Sequence, residues 1–164
     1  MTFARLVATA FGLGLLRPAP GTWGSLGALP LALCLHLAGG PVLLALATAG
    51  IFLVGWWVTH VATRGMEDHD PSEIVIDEVA GQLCALWPVS IGAAMAGAPV
   101  LALWPGWIAG FLLFRVFDIW KPGPVGWADR RHDALGVMLD DIFAGVMAAL
   151  GVAVLAAVAH GVFV

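Results

Sequence analysis

The feature that most constrains this chain is the length of its apolar runs. Residues 42–62, 98–114 and 142–164 approach or exceed the roughly 20 helical residues that cross a hydrocarbon core about 30 Å thick at 1.5 Å per residue. Residues 79–97 form a fourth run, which Pro88 is expected to kink. Residues 24–38 form a shorter fifth, able to cross only with local thinning of the bilayer or as a re-entrant hairpin. Hydrophobic residues make up 61% of the chain and charged residues 11%, and the mean hydropathy is +0.97, so lipid is the expected solvent for most of the surface. The expected fold is all-α: a single domain over residues 1–164, built as a polytopic membrane helical bundle with four or five transmembrane helices.

The N-terminal stretch, Arg5 followed by LVATAFGLGLL, has the outline of a signal peptide. The RPAPGTWGSL that follows offers a poor small-x-small cleavage site, so the segment is expected to remain in the folded protein. Cys34 and Cys84 lie in apolar segments with no ligand at metal spacing and are expected to be small buried hydrophobes.

Charge placement says more than the net charge of -4. All eleven acidic residues fall between Glu67 and Asp141, and five of the seven basic ones between Arg64 and Arg131. With five spans the connections alternate between charged and uncharged, so every charge lands on one side of the membrane. Lys and Arg in short loops favour the cytoplasm, which places this face, and any site on it, there. No nucleic-acid partner is expected, and the oligomeric state is not read from the chain.

Within MEDHDPSEIVIDEVAGQ the order DPSE reads as a helix start, with Asp70 as N-cap, Pro71 at the first helical position and Glu73 reaching back to the cap. Asp77 and Glu78 would then lie about two turns into the helix. Asp70, Glu73 and Asp77 would share one stripe, and Gly81, one turn beyond Asp77, would admit a neighbouring backbone. Capping alone accounts for Asp70 and Glu73. An adjacent carboxylate pair entering an apolar helix is costly unless something neutralises it, and intramembrane acids are functional by default.

The arrangement recurs in GVMLDDIFAG, where Asp140 and Asp141 are expected to open the last helix and Gly145 follows Asp141 by one turn. The alternative is that these acids merely cap and solvate helix ends, where the helix dipole favours them. Two acid pairs at one surface, however, would repel strongly in a low dielectric, and a hard divalent cation resolves that. Oxygen-only ligands favour magnesium or manganese over zinc.

Between the pairs, in FRVFDIWKPGPVGWADRR, Arg115, Asp118 and Lys121 are spaced three apart on a helix that Pro122 and Pro124 terminate. Asp118 would bridge the two cations structurally. In a site, Arg115 and Lys121 would hold a phosphate and Asp118 would orient Arg115 or add a metal ligand. Arg130 or Arg131, in the loop that follows, would contact an anionic headgroup. His69 and His132 are the histidines available as a general acid, whereas His36, His60 and His160 read as structural. A thiol-phosphatase loop, a Gly-rich nucleotide fingerprint and the long acidic pattern of lipid alcohol phosphotransferases are missing. The DxD of Asp68 and Asp70 follows no strand.

The blocks PGTWGSL (20–26), HDPSEIVIDEVAGQ (69–82), FRVFDIWKPGPVGWADR (114–130) and GVMLDDIFAG (136–145), in this order, resemble the phosphatidylglycerophosphatase A family of bacterial membrane enzymes. Those enzymes remove the terminal phosphate of phosphatidylglycerophosphate to give phosphatidylglycerol. The resemblance implies an all-helical fold in the bacterial inner membrane, a phospholipid substrate, magnesium dependence and a role in phospholipid biosynthesis. Carried over by position, Asp77, Glu78, Arg115, Asp118, Lys121, Asp140 and Asp141 would be catalytic. Asp77, Glu78, Asp140, Asp141 and Asp118 would hold the metal, and Thr22, Ser25, Arg115, Lys121 and Arg130 would bind substrate, with Gly21 and Gly24 admitting close backbone approach. Gly123 departs from the aromatic residue common between the two prolines, and residues 131–135 are less glycine-rich than usual. The alternatives are a phosphatase for another lipid phosphate and, from a different class, an ion-coupled transporter, against which the acids gather at one face only.

Overall fold

The computed structural model describes residues 2–66 and 71–163, the last two of them by backbone alone. Every regular element among the described residues is helical. Helix α1 (Phe3–Ala8) starts at Thr2, whose hydroxyl accepts a hydrogen bond from the Arg5 N–H. A 3₁₀ turn at Leu13–Leu15 leads to α2 (Pro20–Ala62). Then come α3 (Ile76–Ala85), α4 (Trp87–Ala96), a 3₁₀ turn at Val100–Leu103, α5 (Trp104–Trp120), α6 (Pro124–Asp129) and α7 (Ala134–Phe163).

Helix α2 is a hairpin rather than a rod. Its helical geometry fails at Gly39 and Gly40, and Gly40, at φ 64° and ψ −157°, occupies backbone space that is essentially reserved for glycine. Pro41 then restarts the helix. The two arms return to the same level of the bundle. A Cβ placed on Gly24 of the first arm would lie 2.9 Å from Val75, and one on Gly55 of the second would lie 3.3 Å from Ile76. Nearer the hairpin tip, His36 hydrogen-bonds Ser90 at 2.7 Å and the Trp87 indole donates to Thr48 at 3.2 Å.

Four helical stretches, 20–62, 76–96, 100–120 and 134–161, are long and apolar enough to cross a membrane, and the break in the first divides it into two arms, which gives five candidate passes. The first arm begins at Pro20 and not at residue 24, so PGTWGSL is helix and the span is not short. The bend expected near Pro88 falls at Leu86, leaving Pro88 in the first turn of α4.

Two expected helix starts are displaced. Helix α3 begins at Ile76 instead of Pro71, because Ile74 and Val75 are drawn into the core and the Val75 N–H bonds the Ala8 carbonyl at 3.0 Å. Glu73 sits in the preceding turn and pairs with Arg5, so no helical stripe links it to Asp77, and the Asp70 cap lies outside the described residues. Helix α7 begins at Ala134, with the Asp133 carboxylate accepting from the Gly136 N–H at 2.6 Å, so Asp140 and Asp141 lie about two turns in and do not open it. Cys84 is buried as expected, but Cys34 is exposed on the flank of the first arm.

Helix α3 is the hub, buried at every residue except Glu78 and packed against both arms of α2 and against α5 and α7. The surrounding helices turn Leu46, Ile119 and Leu150 outward, as lipid-facing helices do.

Candidate active site

The site is assembled where α3 crosses α7, and two glycines make the crossing possible. A Cβ on Gly81 would sit 2.5 Å from the Asp141 carbonyl oxygen and 2.5 Å from the Phe114 ring. One on Gly145 would collide with the Gly81 carbonyl and lie 3.0 Å from the Cys84 Cβ. The backbones therefore touch, in the manner of small-residue contacts between membrane helices. Asp77 lies one turn before Gly81 and Asp141 one turn before Gly145, so the contact brings the two acids together.

One carboxylate oxygen from each of Asp77, Glu78 and Asp141 falls within 4.8 Å of the others. Asp77 and Asp141 are buried and Glu78 is half-buried. Glu78 Oε2 and Asp141 Oδ2 are shielded from solvent and meet no hydrogen-bond partner among the described residues. Three carboxylates at this spacing in a low dielectric repel one another, and an all-oxygen donor set of this size and hardness suits a divalent cation of the magnesium class.

The cations stand around this cluster. Arg115 pairs with Asp118 at 2.5 Å, and its Nη1 lies 3.4 Å from the Ser25 hydroxyl. A Cβ on Gly21 would strike Glu78 Oε1 and lie 3.2 Å from Arg115 Nη1, so the glycine leaves room for both side chains over the first turn of α2. Helix α5 ends at Trp120, and Lys121 adopts a left-handed conformation at φ 52°. This turns Lys121 off the Arg115 and Asp118 face and toward Asp129 and Asp140, 3.1 Å from the latter. Burial disfavours the Lys121 charge, but Asp129 and Asp140 outweigh it and hold the ammonium above the usual lysine range.

The expected single face of Arg115, Asp118 and Lys121 is therefore split into two ion-pair groups. Asp77, Glu78 and Asp141 come together with Asp118 beside Asp141 and paired with Arg115, whereas Asp140 is engaged by Lys121 and by the Asp141 N–H at 2.9 Å. Ser25 is fully buried beneath Arg115 and donates to the Gly21 carbonyl at 2.8 Å, while Thr22 is half-buried in the first turn of α2. Arg130 is exposed at the end of α6, with its guanidinium over Gly126.

Two residues at the site escape a reading by motif. Asp129, the last residue of α6, anchors Lys121, and no local spacing announces a pair eight residues apart. Gln82, one turn past Glu78, is fully buried, and neither of its amide atoms meets a partner among the described residues. Its signal was available in principle: a polar amide in an otherwise apolar helix, four positions after an acid.

A helical membrane bundle with buried carboxylates from two crossing helices and an arginine beside them defines the class of protein. Within that class, the chain belongs to the phosphatidylglycerophosphatase A family of enzymes, whose profile matches residues 6–156. A protein of Haemophilus influenzae named phosphatidylglycerophosphatase A is 38% identical over 146 residues, covering 88% of this chain and 83% of the relative. Its Escherichia coli namesake is 35% identical over 145 residues, covering 88% and 78%. A Bacteroides thetaiotaomicron protein provisionally named phosphatidylinositol-3-phosphatase is 33% identical over 153 residues, covering 91% of each chain. No solved structure gives a significant match.

Proposed function

We propose that the protein hydrolyses the terminal phosphate of phosphatidylglycerophosphate, releasing phosphatidylglycerol and phosphate as a step in phospholipid biosynthesis. The reaction runs with magnesium at the cytoplasmic face of the bacterial inner membrane. The observation that carries this reading is the convergence of Asp77, Glu78 and Asp141 with Arg115 alongside, in a family whose relatives are named for that activity.

Asp77, Glu78 and Asp141 would hold the magnesium ion, with Asp140 and Asp118 close behind them. When bound, the ion supplies positive charge that offsets the charge of the transferring phosphoryl group. Arg115, fixed by Asp118 and supported by Ser25, presents its guanidinium to the phosphate oxygens, a clamp suited to charge that spreads in the transition state. Lys121, held by Asp129 and Asp140, adds a second cation at the rim. A carboxylate oxygen free of other bonds, on Glu78 or Asp141, takes the proton of the attacking water as its oxygen bonds to phosphorus. The phosphorus–oxygen bond to the glycerol breaks, and the departing oxygen takes the proton that the carboxylate accepted, which restores the carboxylate.

Asp77→Asn and Asp141→Asn are expected to lower phosphate release about 10²-fold to 10³-fold, the range for losing one group that stabilises transition-state charge. In the wild type, magnesium is expected to raise the unfolding temperature in detergent and chelator to lower it, and both variants should lose this shift. Retention of wild-type turnover and of the magnesium-dependent shift in either folded variant would overturn the site. The Bacteroides relative's name favours one second reading, a phosphatase for another lipid phosphate. A panel of lipid phosphates assayed with the wild type distinguishes the two by which substrate is turned over fastest.

A further inference from the structure

Beside the acids, Glu78 Oε2, Arg115 Nε and both amide atoms of Gln82 are shut off from solvent and meet no partner among the described residues. Their chemistry is complementary. An ionised carboxylate oxygen only accepts, the guanidinium Nε–H only donates, and the glutamine amide offers a donor at one atom and an acceptor at the other. Two hydrogen bonds would satisfy all of them.

The backbone brings the three residues to one place. Gln82 follows Glu78 by one turn of α3, so the two side chains stand over the same face. Glu78 and Arg115 already adjoin, since a Cβ on Gly21 would strike Glu78 Oε1 and lie 3.2 Å from Arg115 Nη1. Helix α5 closes on α3 to either side of Gln82. A Cβ on Gly81 would lie 2.5 Å from the ring of Phe114, the neighbour of Arg115, and a Cβ on Gly110 would lie 3.4 Å from the Ala85 carbonyl oxygen. Apolar packing accounts for Leu83 and Leu86 on this helix, but it does not account for a fully buried amide with nothing to bond.

We propose that Gln82 is a positioning residue that ties the metal-holding acid to the phosphate clamp. In the working site its amide N–H donates to Glu78 Oε2 and its carbonyl accepts from Arg115 Nε–H. The proposal rests on the metal and phosphate roles given to Glu78 and Arg115 above. The first bond fixes which Glu78 oxygen is left for the cation, as outer partners of metal-ligating carboxylates do. The second steadies a guanidinium that Asp118 and Ser25 already hold through Nη1, and leaves Nη2 for a phosphate oxygen. Cation and phosphate are then registered against one side chain, and misplacement by about 1 Å costs on the order of 10²-fold in rate.

Unfolding temperatures in detergent test this without turnover. The full-length protein is titrated with magnesium and then, at saturating magnesium, with inorganic phosphate, and each rise in unfolding temperature gives a midpoint. For Gln82→Met the magnesium midpoint is expected to rise about 10-fold to 100-fold, the range for losing an outer partner of a metal ligand. The phosphate midpoint should rise on the order of tenfold, as for a guanidinium that loses one charge-assisted hydrogen bond. Gln82→Leu deletes the same atoms and should repeat both shifts. Leu83→Met, a volume-conserving change at the next buried position of α3, should keep both wild-type midpoints. Either midpoint unchanged in a folded Gln82 variant would overturn the bridge. Equal rises in Leu83→Met would also overturn it, by showing a general loosening of α3. A wild type whose unfolding temperature ignores magnesium would overturn the metal reading itself, and the bridge to Glu78 with it.

Discussion

Gln82 shows how a single buried side chain carries information that stability alone does not explain. An unsatisfied buried polar group costs about 1–3 kcal/mol, and Gln82 leaves both amide atoms without a partner among the described residues, one turn from Glu78. Methionine has nearly its length and no amide to satisfy. Gln82→Met is expected to raise the thermal unfolding temperature in detergent while lowering phosphate release, the pattern of a residue kept for chemistry at the expense of stability. Unchanged activity with raised stability would make Gln82 a packing residue. The acids were legible at this scale, since Asp77, Glu78, Asp140 and Asp141 stand out in apolar surroundings. Which of them share a centre was not, because neighbours on a helix diverge by about 100° and the partner on another helix decides which way each carboxylate turns. Asp141 meets Asp77 and Glu78, while Asp140, one position away, meets Lys121.

At the scale of elements, the crossing of α3 and α7 has the least room to change. Gly81 and Gly145 each face backbone at distances no side chain tolerates, so Gly81→Val must push the helices apart. The expected cost is about 1–3 kcal/mol, as for other overpacked contacts. Activity should fall by more than stability alone would predict, because the separation also parts Asp77 from Asp141. Circular dichroism melts beside phosphate release check both, and a variant as stable and active as the wild type would show that the contact is slack. Both glycines were visible one turn after an acid. The helix starts were not: DPSE is a sound capping signal, yet the burial of Ile74 and Val75 and the Val75 bond to Ala8 outweighed it and delayed α3 to Ile76. Lys121 was misplaced for a related reason. Its i+3 spacing promised one face with Asp118, but the helix ends at Trp120 and the left-handed turn before Pro122 sends the side chain elsewhere.

For the whole molecule, the five passes put the α2 N-terminus, the start of α3, the end of α5 and the start of α7 at one end of the bundle, and the α2 hairpin tip and the turn after α4 at the other. The proposed cytoplasmic placement of the charged end has a direct check. Arg130→Cys, in a Cys34→Ser and Cys84→Ala background, should react with a membrane-impermeant maleimide in inside-out vesicles and stay unlabelled in intact spheroplasts. Ala96→Cys should behave the opposite way, and reversed labelling would place the site on the outer face.

By itself the sequence determined the class of fold and the chemistry on offer. Runs long enough to cross a bilayer admit only helices, since every backbone group must be satisfied within its own segment, and the alternation of charged and uncharged connections between those runs directs the acids to one end of such a bundle. The tertiary structure alone decided the groupings: two glycines letting α3 touch α7, Gly40 folding α2 back on itself, and Arg115 lying over Gly21. These contacts join residues tens of positions apart. Local spacing carries no record of such distances, because they are set by how closely the helices pack.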